Sequence, residues 1–297
     1  MLMTEKDPFE TLLDRLVTST RSPRGRFSAA RSWPLLQSRL KRTSLRRTLW
    51  MRVAGAAAIV LLCIAGWQAY EQFRPVEMMT VTAQAETRTV VLPDRTEVIL
   101  NRYSTLTYPK DFRREARREV SLQGGAYFEV AKDPSHPFVV EAGEVQVEVL
   151  GTHFNVEAYP RDREVRTTLL EGSVAVSLPS RSQRLVLVPN ERAVYHKSSG
   201  SLTQESLPNA ADDISWSHGQ LSFQSQPLRE IVRQLANTYQ TDIRIADPTL
   251  AEYRLTATFD IGDGLTHILD LLQAAAGFTY RQDKNQNIIL QTKLNHP

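Results

Sequence analysis

The groups able to do chemistry in this chain are few, and their spacing does not bring them together. Six histidines, His136, His153, His196, His218, His267 and His296, stand far apart along the sequence. Metal sites usually draw two of their ligands from one loop or one helical turn, so no metal centre is expected. Cys63 is the single cysteine, which excludes an intrachain disulfide and a thiolate cluster. Two acidic pairs, Asp212-Asp213 and Asp260/Asp263, could act as acid and base. Each falls at the end of an element, where carboxylates commonly cap helices. Gly262-Asp263-Gly264 is too short to cradle a phosphate and reads as a turn into a helix. The polar run Gly151-Thr152-His153-Phe154-Asn155 reads as a bulge glycine in a strand, with Phe154 and Val156 facing the core. No nucleophile elbow, Walker loop, paired-histidine zinc motif or dinucleotide fingerprint occurs. Neither catalysis nor a cofactor is expected.

Charge and hydropathy are more informative. The net charge is +3 over 297 residues, but the first 52 residues carry twelve Lys or Arg against four Asp or Glu, a net of +8, and the remainder is −5. Directly after this basic arm comes the uncharged run VAGAAAIVLLCIAGWQAY, residues 53–70. As a helix it would be about 27 Å long, close to the roughly 30 Å hydrocarbon core of a bilayer. Trp50 and Arg52 at one end, and Trp67 and Tyr70 at the other, suit the two headgroup levels. The run lies too far from the N-terminus for a cleaved signal peptide. Arg39, Lys41, Arg42, Arg46, Arg47 and Arg52 crowd its N-terminal side, and the first cation beyond it is Arg74. The positive-inside bias then places the N-terminus in the cytoplasm, in a single inner-membrane pass, and the rest in the periplasm of a Gram-negative cell. The basic arm is accounted for as a topology signal. It has no interleaved aromatics, and no direct nucleic-acid contact is expected.

The predicted elements fall into four regions. Residues 1–48 form a small cytoplasmic head. Asp7-Pro8-Phe9-Glu10 is a helix start with cap, proline and capping-box glutamate. Phe9, Leu12, Leu13, Leu16 and Val17 then repeat at helical spacing as one apolar stripe. That stripe could dock in a partner's groove, pack on a second short helix after Ser32-Trp33-Pro34, or lie on lipid. Residues 49–70 form the transmembrane helix. Residues 78–205 are all β, with alternation in 96–100, 126–130 and 145–149, and turn signals at Pro93-Asp94, Gly124-Gly125, Asp133-Pro134 and Pro189-Asn190. Either a sandwich or a solenoid-like stack of strands satisfies this pattern. Residues 213–294 change to a mixed α+β order, β-α-β-β-α-β-β, with helices opening near Pro227 and closing at Gly277. The chain as a whole is mainly β with an α+β module and an N-terminal helical segment.

The strings LPDRTEVILNRYSTLTYP (92–109), VSLQGGAYFEVAKDPSHPFVVEA (120–142), VLGTHFNVEAY (149–159) and TTLLEGSVAVS (167–177) together resemble the FecR domain. The region beginning at Trp216, Gly219, Leu221 and Phe223 resembles the C-terminal domain of Bacteroidota-type FecR proteins, itself similar to the short N-terminal domain of secretins and TonB-dependent receptors. The resemblance covers residues 78–294. Two departures stand out. Asp94-Arg95 replaces the family's Asp-Gly, for which a different turn is expected, and Gly124-Gly125 replaces Gly-Glu.

The resemblance implies an anti-sigma factor, a transmembrane sigma regulator. A TonB-dependent outer-membrane transducer would present its signalling domain to the periplasmic region. The membrane helix, which is rich in small residues (Gly55, Gly66), would then be cut by an intramembrane protease or moved. The head would release or activate an extracytoplasmic-function (ECF) sigma factor gripped through Phe9, Leu12, Leu13, Leu16 and Val17. The alternative is a membrane-tethered, β-rich module binding glycan or envelope components through an aromatic platform.

Overall fold

The computed structural model describes residues 8–19, 29–72, 76–112, 116–283 and 287–293. By internal packing the chain divides into two units, Met1–Pro75 and Val76–Pro297.

The first unit is helical. Helix α1 (Pro8–Ser19) starts with its proline in the first turn, where the missing N–H costs nothing. Helix α2 (Ala29–Gln72) is 44 residues long, about 66 Å at 1.5 Å per residue. No break separates the basic arm from the apolar run. Pro34 sits inside the helix near its N-terminus and forfeits one main-chain bond there. The separate short helix after Ser32 is therefore the first part of one continuous rod.

The second unit opens with a two-layer β-sandwich, which decides between the two β architectures. Its strands are β1 (Met78–Thr82), β2 (Arg88–Val91), β3 (Glu97–Leu100), β4 (Thr105–Pro109), β5 (Arg118–Glu129), β6 (Phe138–Ala142), β7 (Val145–Val149), β8 (His153–Ala158), β9 (Glu164–Glu171), β10 (Val174–Leu178), β11 (Gln183–Leu187), β12 (Glu191–His196) and β13 (Ser201–Ser206). One layer runs β1-β4-β5-β6-β7-β10-β11 and the other β2-β3-β5-β8-β9-β12-β13. Strand β5 belongs to both. Its first half pairs with β4 and, in parallel, with β6; its second half pairs with β3 and β8. A parallel neighbour normally needs a long crossover, and here the second half of β5 in the opposite layer supplies it.

The switch falls on Gly124-Gly125. Gly124 has φ +103°, and a Cβ there would stand 2.4 Å from Ser104 Oγ. A Cβ on Gly125 would stand 2.9 Å from Tyr159 Oη, so the glutamate usual in the family has no room beside this tyrosine. At the other departure Arg95 itself holds φ +71°, the left-handed position that favours glycine, and donates its N–H to Leu92 O.

Between the layers lies one apolar core, in which Phe128 stacks on Phe154 at 5.0 Å and reaches across to Phe138 at 6.1 Å. Phe154 and Val156 face this core, as the sequence suggests, and the irregularity in pairing falls at His153/Phe154 opposite β9. The alternation of β5 stops at the bend: residues 124–128 are buried without exception. One face of that half meets the sandwich core, and the other, through Tyr127, joins the core of the module that follows.

A 3-10 helix, Ala210–His218, leads into that module and buries Trp216. Its elements are β14 (Gln220–Pro227), α3 (Leu228–Tyr239), β15 (Ile243–Ile245), the single turn α4 (Pro248–Ala251), β16 (Arg254–Asp260), α5 (Leu265–Ala276), β17 (Phe278–Gln282) and β18 (Ile288–Thr292). The expected order is present, with α4 as an extra turn capped by Asp247. Strands β14 and β16 form one small sheet, and β15-β18-β17 the other, with β15 and β18 parallel. Leu228, Ile231, Val232 and Leu235 of α3 and Ile268, Leu269 and Leu272 of α5 join residues of both sheets in one core. Gly277 ends α5 with φ +67°.

Candidate partner-binding surfaces and the seam between the two modules

Helix α1 exposes Leu12 and Leu16, each at 61%, while Leu13 is half-buried. Phe9 and Val17 belong to the same helix backbone; their side chains lie outside the described set. Two exposed leucines one turn apart on a 12-residue helix make an apolar face of the kind that fills a groove.

Residues Trp50–Gln68 of α2 have a mean hydropathy of 1.7 and are wholly unburied within the chain. Among the described residues this is the one helix long and apolar enough to cross a membrane, and it fits a single-pass protein. Trp50 is 74% exposed, Trp67 and Tyr70 are also exposed, and so is Arg52. Burying such a surface in hydrocarbon removes an apolar area that none of the residues described in its own unit covers.

The most developed polar constellation lies in the second unit, where the outer face of β8, β9 and β12 meets the C-terminal module. Three arginines hold it. Arg166 on β9 donates to Glu164 (2.6 Å) and to Glu230 on α3 (2.5 Å). Arg233, one turn further along α3, reaches Asp162 (2.9 Å), Glu157 on β8 (3.0 Å) and Glu230 (3.2 Å). Asn237, another turn on, donates to Asp162 at 2.8 Å. Arg192 on β12 grips Asp213 of the 3-10 helix and bonds Glu205 at 2.9 Å, and Thr168 donates to the same aspartate at 2.5 Å. The spacing 230, 233, 237 places all three α3 partners on one helix face.

Burial alone would push the Glu230 carboxyl up; the hydrogen bond and charge of Arg166, with Arg233, overcome it and hold the group down at about 2. Burial likewise opposes the charge on Arg192 and on Arg233. Asp213 for the first, and Glu157, Asp162 and Glu230 for the second, hold both guanidinium groups charged. Burial also pushes the Tyr127 hydroxyl, on the same face, up to about 12, with Glu129 adding to the effect.

The acidic pairs therefore have separate fates. Asp260 caps, accepting from Gly262 N at 2.7 Å, whereas Asp213 is a tie between modules, and the cap of its helix is Asn209. Both carboxylates are thus committed to partners within the fold. Among the described residues no group of His, Cys, Asp and Glu could hold a metal ion. The sequence flagged none of the three arginines, because their partners lie between 2 and 76 residues away and meet only in the folded register. The strongly exposed aromatic side chains of the second unit are Tyr103 on the sandwich and Tyr253 on the C-terminal module.

A sandwich carrying a split α+β module, preceded in the chain by one membrane-length helix, fits a single-pass membrane protein. Two family models match the chain. The model described as FecR protein matches residues 79–175, and that described as FecR, C-terminal matches residues 220–290; together they span more than half of the chain. A crystal structure at 2.50 Å of a candidate anti-sigma factor from Parabacteroides distasonis ATCC 8503 is 28% identical, with a TM-score of 0.63, over 73% of this chain and 100% of that one. A second structure of a protein so described from the same organism, at 1.65 Å, gives 28% and 0.63 over 72% and 99%. No curated protein matches the chain. The chain belongs to the FecR family of anti-sigma factors, a regulatory family with a sigma factor as partner.

Proposed function

We propose that this protein relays a signal from an outer-membrane TonB-dependent transducer to a cytoplasmic ECF sigma factor. The carrying observation is the match of both family models to the two modules beyond a single membrane-length helix that follows a basic arm. In this reading the basic side of α2 faces the cytoplasm, consistent with the positive-inside bias. Helix α1 holds the sigma factor through Phe9, Leu12, Leu13, Leu16 and Val17. The second unit receives the transducer's signalling domain in the periplasm. An intramembrane protease then cuts α2 at its stretch of small residues, and the head, freed or shed, changes sigma activity.

The test of the head contact uses residues already exposed, so that folding is not at stake. Leu12→Asp with Leu16→Asp, in the full chain, is expected to abolish co-purification with the cognate sigma factor. Undiminished capture would remove the assignment of α1. For topology, alkaline phosphatase fused after residue 297 is expected to be active, because that enzyme needs an oxidising compartment. Activity confined to a cytosolic reporter would overturn the orientation. The glycan-binding alternative asks for an aromatic platform, and the two exposed tyrosines of the second unit do not lie on one module.

A further inference from the structure

The three-stranded sheet of the C-terminal module is unfinished on one side. Among the described residues strand β15 has a single neighbour, β18, to which it runs parallel. Asp242 O accepts from Ile288 N at 2.8 Å, and Ala246 N donates to Leu290 O at 2.9 Å. In a parallel ladder alternate residues face the partner strand. Asp242, Arg244 and Ala246 are thus committed to β18, and the main-chain groups of Ile243 and Ile245 are directed to the other side. An uncovered edge of this kind is a template for another strand.

This edge lines a cleft of about 1520 Å³, whose walls also include Arg161 and Arg163 from the turn between β8 and β9. Most charges there are already matched. Arg166 and Arg233 are neutralised within the seam, Arg244 pairs with Asp242 at 2.8 Å, and Arg229 pairs with Glu252. Arg161 and Arg163 are exposed and hold no side-chain hydrogen bond or ion pair among the described residues. What remains is two uncommitted positive charges beside a bare strand edge, over an apolar floor that includes Val232, Ala236 and Leu269.

We propose that the open edge of β15 takes up an acidic, extended segment of the periplasmic partner as an added strand, with Arg161 and Arg163 pairing its carboxylates. This rests on reading the second unit as the receiver of a periplasmic protein signal, and it specifies where and by what chemistry. Main-chain bonds to Ile243 and Ile245 supply the attachment. Alternate side chains of the added strand point to opposite faces, so acidic residues reach the arginines while apolar ones meet the floor. Neutral or basic strands lack the second set of contacts.

The probe is a fluorescent peptide of about ten residues with alternating Val and Glu, long enough to cover a strand edge. It is titrated by anisotropy against the full chain in detergent at low salt. Binding is expected, and it should weaken as salt rises, since exposed charges are screened. Arg161→Glu with Arg163→Glu should weaken it at least about tenfold. A peptide N-methylated on alternate residues, which cannot add to a strand, should fail to bind. Equal binding of the Val-Lys peptide, unchanged binding of the N-methylated peptide, or no binding at all would each overturn the proposal. Sigma-factor capture is measured on the same preparations. If capture holds and the peptide result fails, only the docking site falls; if capture itself fails, the functional reading falls independently.

Discussion

Glu230 shows how one buried carboxylate is set by its neighbours. Its folded value of about 2 lies below the unfolded 4.5 because Arg166 and Arg233 outweigh the cost of burial. A carboxyl depressed on folding stabilises the native state above its unfolded value, and that contribution is lost as pH falls through the folded one. The window is therefore roughly pH 4.5 down to 2, and the amount at neutral pH is about 3 kcal/mol. Glu230→Gln should lower the urea midpoint at pH 7. It should also flatten the loss of stability between pH 4.5 and 2 relative to the unaltered chain. Parallel pH profiles for the two proteins would show that the arginines do not depend on this carboxylate. A lowered value also implies that Glu230 stays ionised in mild acid, so acidification to pH 5 is not expected to break its ties to Arg166 and Arg233.

At the scale of elements, the bent strand β5 is what makes two sheets into one sandwich, and its bend has no tolerance for a side chain. Gly124→Ala must adopt φ near +103° and displace Ser104, whose Cα would lie 2.8 Å from the new Cβ. A cost of about 3 kcal/mol or more is expected, because the neighbour is backbone and cannot swing aside. Gly143→Ala, in the turn between β6 and β7, has φ +66° but nothing within 4 Å. That variant should lose only about 1 kcal/mol, the left-handed penalty alone. Thermal melts of the full chain in detergent compare the two; similar losses would mean that the bend is softer than its packing implies. The glycine pair itself was legible in the sequence as a turn signal, but not as a strand that changes sheets. Nothing in local alternation tells a turn from a bend when both flanks remain extended. The same limit hid the 3-10 helix at 210–218, which is too short for a helical period, and so hid the role of Asp213. The strands of the sandwich and the helices α3 and α5 were readable because their apolar spacing is set by a single buried face. Helix α2 presents itself in the sequence as two pieces, because Pro34 and the change from basic to apolar composition look like boundaries. Backbone continuity ignores composition.

On the scale of the whole molecule, the seam decides whether the second unit responds as one body or as two. Apolar contacts contribute, since Tyr127, Ile99 and Leu170 of the sandwich pack with Trp216 and Ile214. The ionic ties are more demanding. Arg192 is 8% exposed, and without Asp213 its charge in a poorly hydrated place keeps only Glu205, a half-exposed carboxylate, as an ionic partner. Asp213→Ala should therefore cost about 3–5 kcal/mol. It should also loosen the C-terminal module, read as faster amide exchange in α3 and in 210–218 while the sandwich core keeps its protection. Replacing both members, Arg192→Met with Asp213→Leu, removes the stranded charge and fills the space, and should recover most of the loss. A double variant no better than the single one would mean that the pair is net stabilising, not merely expensive to break. If Asp213→Ala instead leaves exchange in both modules unchanged, the seam is an incidental contact. A partner at the β15 edge would then move the C-terminal module without moving the sandwich. The rigid alternative has a mechanical consequence: a force applied at the C-terminal module passes through the sandwich to β1, the strand closest in sequence to α2.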